Sequence, residues 1–179
     1  CISPSRYFGE FMATRLEVEQ ANVLYHPNGI TTDGFSCNEN VVSPPTVGFL
    51  ARLCPLKGLD ILIDAFLILK KSSKHTDLRL EIAGGMTEED EPFVQEQKDK
   101  LESASLSACS IFRPNIERDE KLKFLRGLNV FSVPSRYPEA FGLYVIEALA
   151  AGTPVVLPKS GAFPEIVEDT GGGIIYEDN

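Results

Sequence analysis

From residue 46 to residue 176, short runs of β-forming apolar residues take turns with stretches of helical spacing, and this alternation restricts the fold more than any other feature. Thr46-Val47-Gly48-Phe49-Leu50 reads as a strand. Residues 59–71 read as a helix, with Leu59, Ile63, Phe66, Leu67 and Lys70 at helical spacing, and residues 78–83 alternate as a strand. Residues 91–101 predict a polar helix that buries Phe93, Val94 and Leu101, followed by a strand at 109–112 and a helix at 119–126. Then come an apolar strand over 128–133, a helix from Phe141 to Ala151, a strand over 154–157, a short helix over 163–167 and a last strand over 173–176. Strands alternating with helices pair in parallel through right-handed crossovers. The expectation is an α/β fold: a doubly wound, mostly parallel sheet with helices on both faces.

Residues 1–20 stand apart. Cys1-Ile2 is a strand stub without an evident partner further on, and Ser3-Pro4-Ser5 leads into a helix to about Leu16, with serine as a suitable N-cap. Residues 23–26 form a short strand, Pro27-Asn28-Gly29 a turn, and 31–45 a polar loop or linker, so the main boundary is placed just before Ala21. The 179 residues suffice for one domain with a full core, and 43% apolar with 24% charged residues is ordinary for a globular protein.

Charge and cysteines exclude several classes. Lys+Arg number 17 against Asp+Glu 26, a net charge of -9 without a basic stripe, which argues against nucleic acid as a partner. An anionic ligand would need a local basic site. Cys1, Cys37, Cys54 and Cys109 show no C-x-x-C spacing, and His26 and His75 lie in different loops, so neither a zinc site nor a His-based catalytic pair is expected. Free thiols fit a cytosolic location. No Asp-x-Asp cluster offers itself to a divalent ion. No metal and no cofactor are expected.

In a doubly wound sheet, ligands bind in the crevice outside the carboxyl ends of the strands. The residues that follow each expected strand are unusual: Arg52 and Lys57 after the first, Gly84-Gly85 after the second, Arg113-Pro114-Asn115 after the third, Glu139 after the fourth and Lys159-Ser160-Gly161 after the fifth. The helix from Phe141 is apolar nearly all round, which predicts a buried helix, yet it carries Glu147. A buried carboxylate needs donors around it. Taken singly, Glu147 reads as bonded to backbone or an Arg, and Glu139 as a solvated loop residue. Taken together, with free amides at Phe141, Gly142 and Leu143 between them, they favour a ligand. Carboxylates accept from hydroxyls, and a helix N-terminus favours phosphate. Arg52 and Lys57 are candidates to meet a diphosphate there, or else are surface charges at a helix start. Gly84 would permit close approach of a nucleotide, or is a simple turn.

These residues resemble a known family. Arg52-x4-Lys57-Gly58, Glu139-x7-Glu147, Gly152-Thr153-Pro154-Val155-Val156 and Gly161-Ala162-Phe163-Pro164-Glu165-Ile166-Val167 resemble the retaining glycosyltransferases built from two Rossmann-like domains, the GT-B type, and within them group 1, or family 4. The match runs from about Val23 to Tyr176. The resemblance implies a hexosyltransferase that uses a nucleotide-diphosphate sugar, with residues 21–179 as the C-terminal donor-binding domain and 1–20 as the tail of the N-terminal, acceptor-binding domain. It assigns Arg52 and Lys57 to the diphosphate, Glu139 to sugar hydroxyls, Phe141, Gly142 and Leu143 to main-chain contacts, and Glu147 to the ribose. It also implies retention of configuration, an inactive donor half on its own, an acceptor reached through the other domain, and peripheral membrane contact of the whole enzyme. Ala51 departs from the Gly usual before the Arg, Arg113-Pro114 from a Phe-Gly-like pair, and the helices that cross back to the first domain do not appear before Asn179. Two other classes share this pattern: a non-catalytic nucleotide-sugar-binding module, and an epimerase or phosphorylase of similar architecture.

Overall fold

The computed structural model describes residues 1–37 and 43–177. At the N-terminus, β1 (Ile2–Ser3) runs into α1 (Arg6–Leu16) and then β2 (Leu24–Tyr25). Ser5 caps α1 by accepting from the Phe8 N–H at 3.0 Å. The strand stub that lacked a partner in the sequence has one: β1 and β2 pair in parallel, Ile2 opposite Leu24 and Ser3 opposite Tyr25. Two-residue strands are too short to show a period, which is why the pairing is silent in the sequence.

The main sheet has six parallel strands: β3 (Thr46–Leu50), β4 (Arg79–Gly84), β5 (Ser110–Pro114), β6 (Val130–Phe131), β7 (Val155–Pro158) and β8 (Gly173–Tyr176). Their order is β5-β4-β3-β6-β7-β8. The chain winds outward from β3 to β5, crosses back, and winds outward again from β6 to β8. The order therefore reverses between the neighbours β3 and β6, and the loops that leave these two strands diverge to opposite faces. On one face α2 (Leu59–Lys70) packs with α3 (Glu91–Ser103); α4 (Arg118–Arg126) packs with α5 (Leu143–Ala150), and α6 (Phe163–Thr170) lies against β8.

The core lies between sheet and helices. Phe49, Leu53, Leu59, Ile63, Leu80, Ile82, Leu125, Phe131, Val133, Val145, Leu157 and Phe163 are fully buried. Each such side chain contributes roughly 1.5–3 kcal/mol of transfer free energy, and together they hold the strand ends in place.

Four expectations need correction. The strand expected over 128–133 shrinks to Val130–Phe131, because the Asn129 side chain turns inward to accept from the Thr46 N–H at 2.7 Å, while Leu128 and Val133 still pack in the core. On α3, Phe93 is only half-buried; Gln97 is the enclosed residue beside Val94 and Leu101. The helix expected from Phe141 starts at Leu143, behind Gly142 with φ +93°. That helix is not enclosed all round: Val145 and Ala148 are its buried residues, and Leu143 is 46% exposed. A helix that runs antiparallel to the strands begins at their carboxyl edge, where the sheet no longer covers it. No helix among the described residues is long and apolar enough to cross a membrane.

Candidate functional site

Two connections meet over the point where the strand order reverses. One leaves β3 through Arg52, a single 3-10 turn (Pro55–Lys57) and Gly58 into α2. The other leaves β6 through residues 132–142 into α5. Gly58 has φ +72°, and a Cβ there would lie 1.9 Å from the Pro134 carbonyl oxygen, so only glycine lets the two backbones touch. Arg136 then fastens them. Its guanidinium donates to both carboxylate oxygens of Asp60, at 2.7 and 2.6 Å, and to the Pro55 carbonyl at 2.7 Å; its N–H donates to the Leu56 carbonyl at 2.9 Å. Hydrogen bonding to Arg136 holds the Asp60 carboxyl below its ordinary pKa.

This clamp sets Lys57 against Glu139. The Lys57 ammonium donates to Glu139 Oε1, with side chains 23% and 13% exposed. Ser135 Oγ lies 3.3 Å from the same oxygen. Beneath the pair, Lys57 Nζ sits 5.8 Å from the centre of the Tyr144 ring. The Tyr144 phenol is pushed above its ordinary pKa, first by burial, then by the charge of the Glu139 carboxylate and by its hydroxyl facing that carboxylate at hydrogen-bonding range, and so stays protonated. The end of α5 beside them has no side-chain cap at Gly142, and among the described residues no acceptor takes the amide hydrogens of Gly142, Leu143 or Tyr144. These orphan donors and the helix dipole make a seat for an anion.

The other expected residues are placed as follows. Arg52 reaches Asp90 rather than Lys57 or Glu139: its Nε lies 3.2 Å from Asp90 Oδ2. Asp90 is buried and accepts from the Thr87 N–H at 3.0 Å and the Thr87 hydroxyl at 2.9 Å; Thr87 first and then Arg52 hold its pKa down. Glu147 accepts from Lys121 of α4 at 2.6 Å, both side chains being largely buried. Gly84 has φ +142°, and a Cβ there would lie 1.7 Å from the Ala51 carbonyl oxygen. The close approach expected of a nucleotide at Gly84 is thus made by the chain itself, and Gly85 is the glycine of that pair with open space beside it. Phe141 is buried, and Leu143 is exposed at the rim.

Sequence reasoning missed Lys121, Tyr144, Asp90 and the Arg136–Asp60 clamp. Lys121 lies 26 positions from Glu147 on another helix, and only the packing of α4 on α5 joins them. Arg136 inside a Pro-bounded loop was the one readable signal. Among the described residues no group of three His, Cys, Asp or Glu side chains is placed to hold a metal ion. A separate groove of about 540 Å³, lined by Glu81, Arg113, Ile116, Glu120, Lys123, Phe124 and Gly127, shares no residue with this cluster.

A doubly wound sheet with orphan helix amides and a Lys–Glu pair beside its reversal point has the architecture of nucleotide-binding folds. Residues 37–179 match the family of glycosyl transferases group 1, and the chain belongs to that family. The D-inositol 3-phosphate glycosyltransferase of Mycobacterium sp. (strain KMS) is 30% identical over 175 residues, covering 87% of this chain and 38% of that protein. The mannosylfructose-phosphate synthase of Agrobacterium fabrum is 33% identical over 113 residues, 63% of this chain and 25% of that protein. The chain thus spans well under half the length of these curated relatives. Among solved structures, the C-terminal domain of a group 1 glycosyltransferase (LpcC) from Francisella tularensis superposes with a TM-score of 0.72 at 28% identity, covering 84% of this chain and 81% of that one. Anabaena HepE, solved with UDP and glucose, superposes with a TM-score of 0.82 at 21% identity over 98% of this chain and 48% of that one, a likeness of fold alone. The expectations of a glycosyltransferase family and of a GT-B, Rossmann-like α/β fold hold.

Proposed function

We propose that this chain is the donor-binding half of a retaining glycosyltransferase, which takes a hexosyl unit from a nucleotide-diphosphate sugar and passes it to an acceptor held by an N-terminal domain. The observation that carries this reading is the Lys57–Glu139 pair beside the uncapped end of α5. The names of the relatives above, which transfer sugars or build sugar phosphates, support it.

The chemistry follows from the charges. As the sugar leaves, negative charge grows on the diphosphate and the sugar becomes oxocarbenium-like. Lys57 turns from Glu139 to the phosphates, the amides of Gly142 and Leu143 donate to them, and Arg52 adds its guanidinium after exchanging Asp90 for phosphate. Glu139, released from Lys57, accepts from hydroxyls of the transferred sugar, with Phe141 packing behind it. Glu147, held by Lys121, accepts from the ribose. Charge neutralisation by these side chains and amides serves the leaving group without a metal ion or cofactor. The enzyme works in the cytosol, with membrane contact confined to the other half.

Calorimetric titration of the chain with UDP, GDP and ADP and their hexose conjugates tests the reading. One nucleotide series is expected to bind, and Lys57→Ala to weaken its diphosphate about tenfold or more, by the loss of a charge-assisted contact worth roughly 1.5–3 kcal/mol. Absence of binding by every nucleotide, or unchanged affinity in the variant, removes Lys57 and the reading with it.

A further inference from the structure

Among the described residues two buried side-chain atoms lack a hydrogen-bond partner: Oε1 of Gln97, inside the α3 core, and the hydroxyl of Tyr144. A buried hydroxyl left unbonded destabilises a fold by about 1–3 kcal/mol, so one that persists inside a binding site calls for a functional account. Tyr144 cannot move away. Its ring packs against Phe131 at 6.1 Å and Phe163 at 6.4 Å between centroids, and Lys57 lies over it. Only the O–H can rotate.

Its neighbour Glu139 has the complementary feature. The bonds from Lys57 and Ser135 both fall on Oε1, and among the described residues Oε2 takes none. Lys57 holds Glu139 only while no phosphate claims the ammonium. Once Lys57 turns away, a largely buried carboxylate would lose its charged partner, and its rotamer is freed. An acceptor that is to grip a sugar hydroxyl must be ionised and fixed in place. The phenol beside it is protonated and fixed in place, and it faces Glu139 closely enough for the carboxylate to raise its pKa, without closing a full hydrogen bond.

We propose that Tyr144 is a positioning residue for Glu139: when a sugar nucleotide binds and its diphosphate draws Lys57 away, the Tyr144 hydroxyl donates to the Glu139 carboxylate and holds it against the sugar, whereas with free diphosphate, which brings no sugar to hold, Glu139 turns to solvent and the bond is not made. This rests on the donor-site reading above and deepens it. The bond closes in the complex with the sugar nucleotide, where Lys57 no longer shares the carboxylate. The substrate thus completes the site by releasing Glu139 from one partner to another.

The test compares free UDP with UDP-glucose, and likewise the GDP and ADP pairs, by calorimetry on the wild type, Tyr144→Phe, Glu139→Gln and the double variant. Tyr144→Phe keeps the ring and is expected to leave free diphosphate affinity within about twofold, while sugar-nucleotide affinity falls about three- to tenfold, the size of one hydrogen bond. In the Glu139→Gln background, where a neutral amide oxygen replaces the charged acceptor, the same substitution is expected to cost at most about twofold. Its thermal midpoint is expected to be equal to or above that of the wild type, since Phe removes an unbonded buried hydroxyl. Equal losses for free and sugar-bearing nucleotides, no loss at all, or additive losses in the double variant overturn the proposal; additivity would assign the hydroxyl to the ligand directly. Failure of the donor-site reading shows separately, as absence of nucleotide binding by the wild type, and the proposal then falls with it.

Discussion

Lys57 presents a charge that is already spoken for. Its ammonium is bonded to Glu139, so a diphosphate bound there would have to displace a carboxylate before it gains the cation. Removing the competitor should therefore help one ligand and harm another. Glu139→Gln is expected to tighten binding of free nucleoside diphosphate about three- to tenfold, since a largely buried ion pair whose attraction is mostly offset by desolvation is worth on the order of 1 kcal/mol. The same variant is expected to lose the added affinity that a hexose confers. Paired titrations with diphosphate and sugar nucleotide check both, and weaker binding of the diphosphate would mean that Glu139 supports the phosphate seat rather than competing for it. The two acids were legible in the sequence as polar exceptions in an apolar setting. Their partners were not, because Lys57 and Glu139 lie 82 positions apart and Lys121 and Glu147 lie 26 apart. Arg52 was legible as a cation at a strand end, but its bond to Asp90 depends on the rotamer chosen over Thr87, which no spacing encodes.

The elements around the site are two loop-to-helix connections, and their alignment rests on one bidentate ion pair. Arg136 and Asp60 join the β6–α5 connection to the first turn of α2. The carboxyl of Asp60 is held below its ordinary pKa in the folded chain, so the pair stabilises the fold at pH values above the unfolded carboxylate range, near 4. That stability is lost as pH falls through the lower, folded value. Asp60→Asn is expected to be less stable than the wild type at pH 7 by about 1 kcal/mol, a modest figure because Arg136 is 42% exposed, or roughly 2–4 °C in Tm. The difference is expected to narrow progressively in melts taken below about pH 4. A difference independent of pH would trace the effect to shape rather than charge. Elements of this size were readable where apolar spacing runs for eight residues or more, as in α2 and α5, and strands β3 and β8 match the expected residues. β1, β2 and β6, at two residues each, were set by pairing instead of pattern. The 31–45 loop was expected to be irregular, and part of it, residues 38–42, falls outside the described residues.

For the molecule as a whole, sheet order decides where ligand can act. The reversal between β3 and β6 lets two loops diverge, and everything proposed for the donor collects on that rim. The N-terminal unit is fixed to the same rim: Ser5 Oγ donates to the Ala140 carbonyl, one residue past Glu139, and Glu165 of α6 accepts from the Arg6 and Tyr7 amides that open α1, at 2.9 and 2.6 Å. Residues before the expected boundary therefore contact the carboxyl edge of the sheet, the side on which an acceptor domain would have to stand. The rival location is the groove against α4, lined by two acids and two bases of cancelling charge, Glu81, Glu120, Arg113 and Lys123. Amide hydrogen exchange with and without a saturating nucleotide separates the two. At a hundred times Kd the ligand adds roughly 2.7 kcal/mol of protection to the segments it orders. Exchange is expected to slow over residues 52–58, 135–139 and 142–144, with no change in residues 95–103 or 173–176, which lie on the outer windings. Protection centred instead on residues 113–127 would move the ligand to the α4 groove, and the anion seat at α5 would then be a feature of the fold without a bound phosphate.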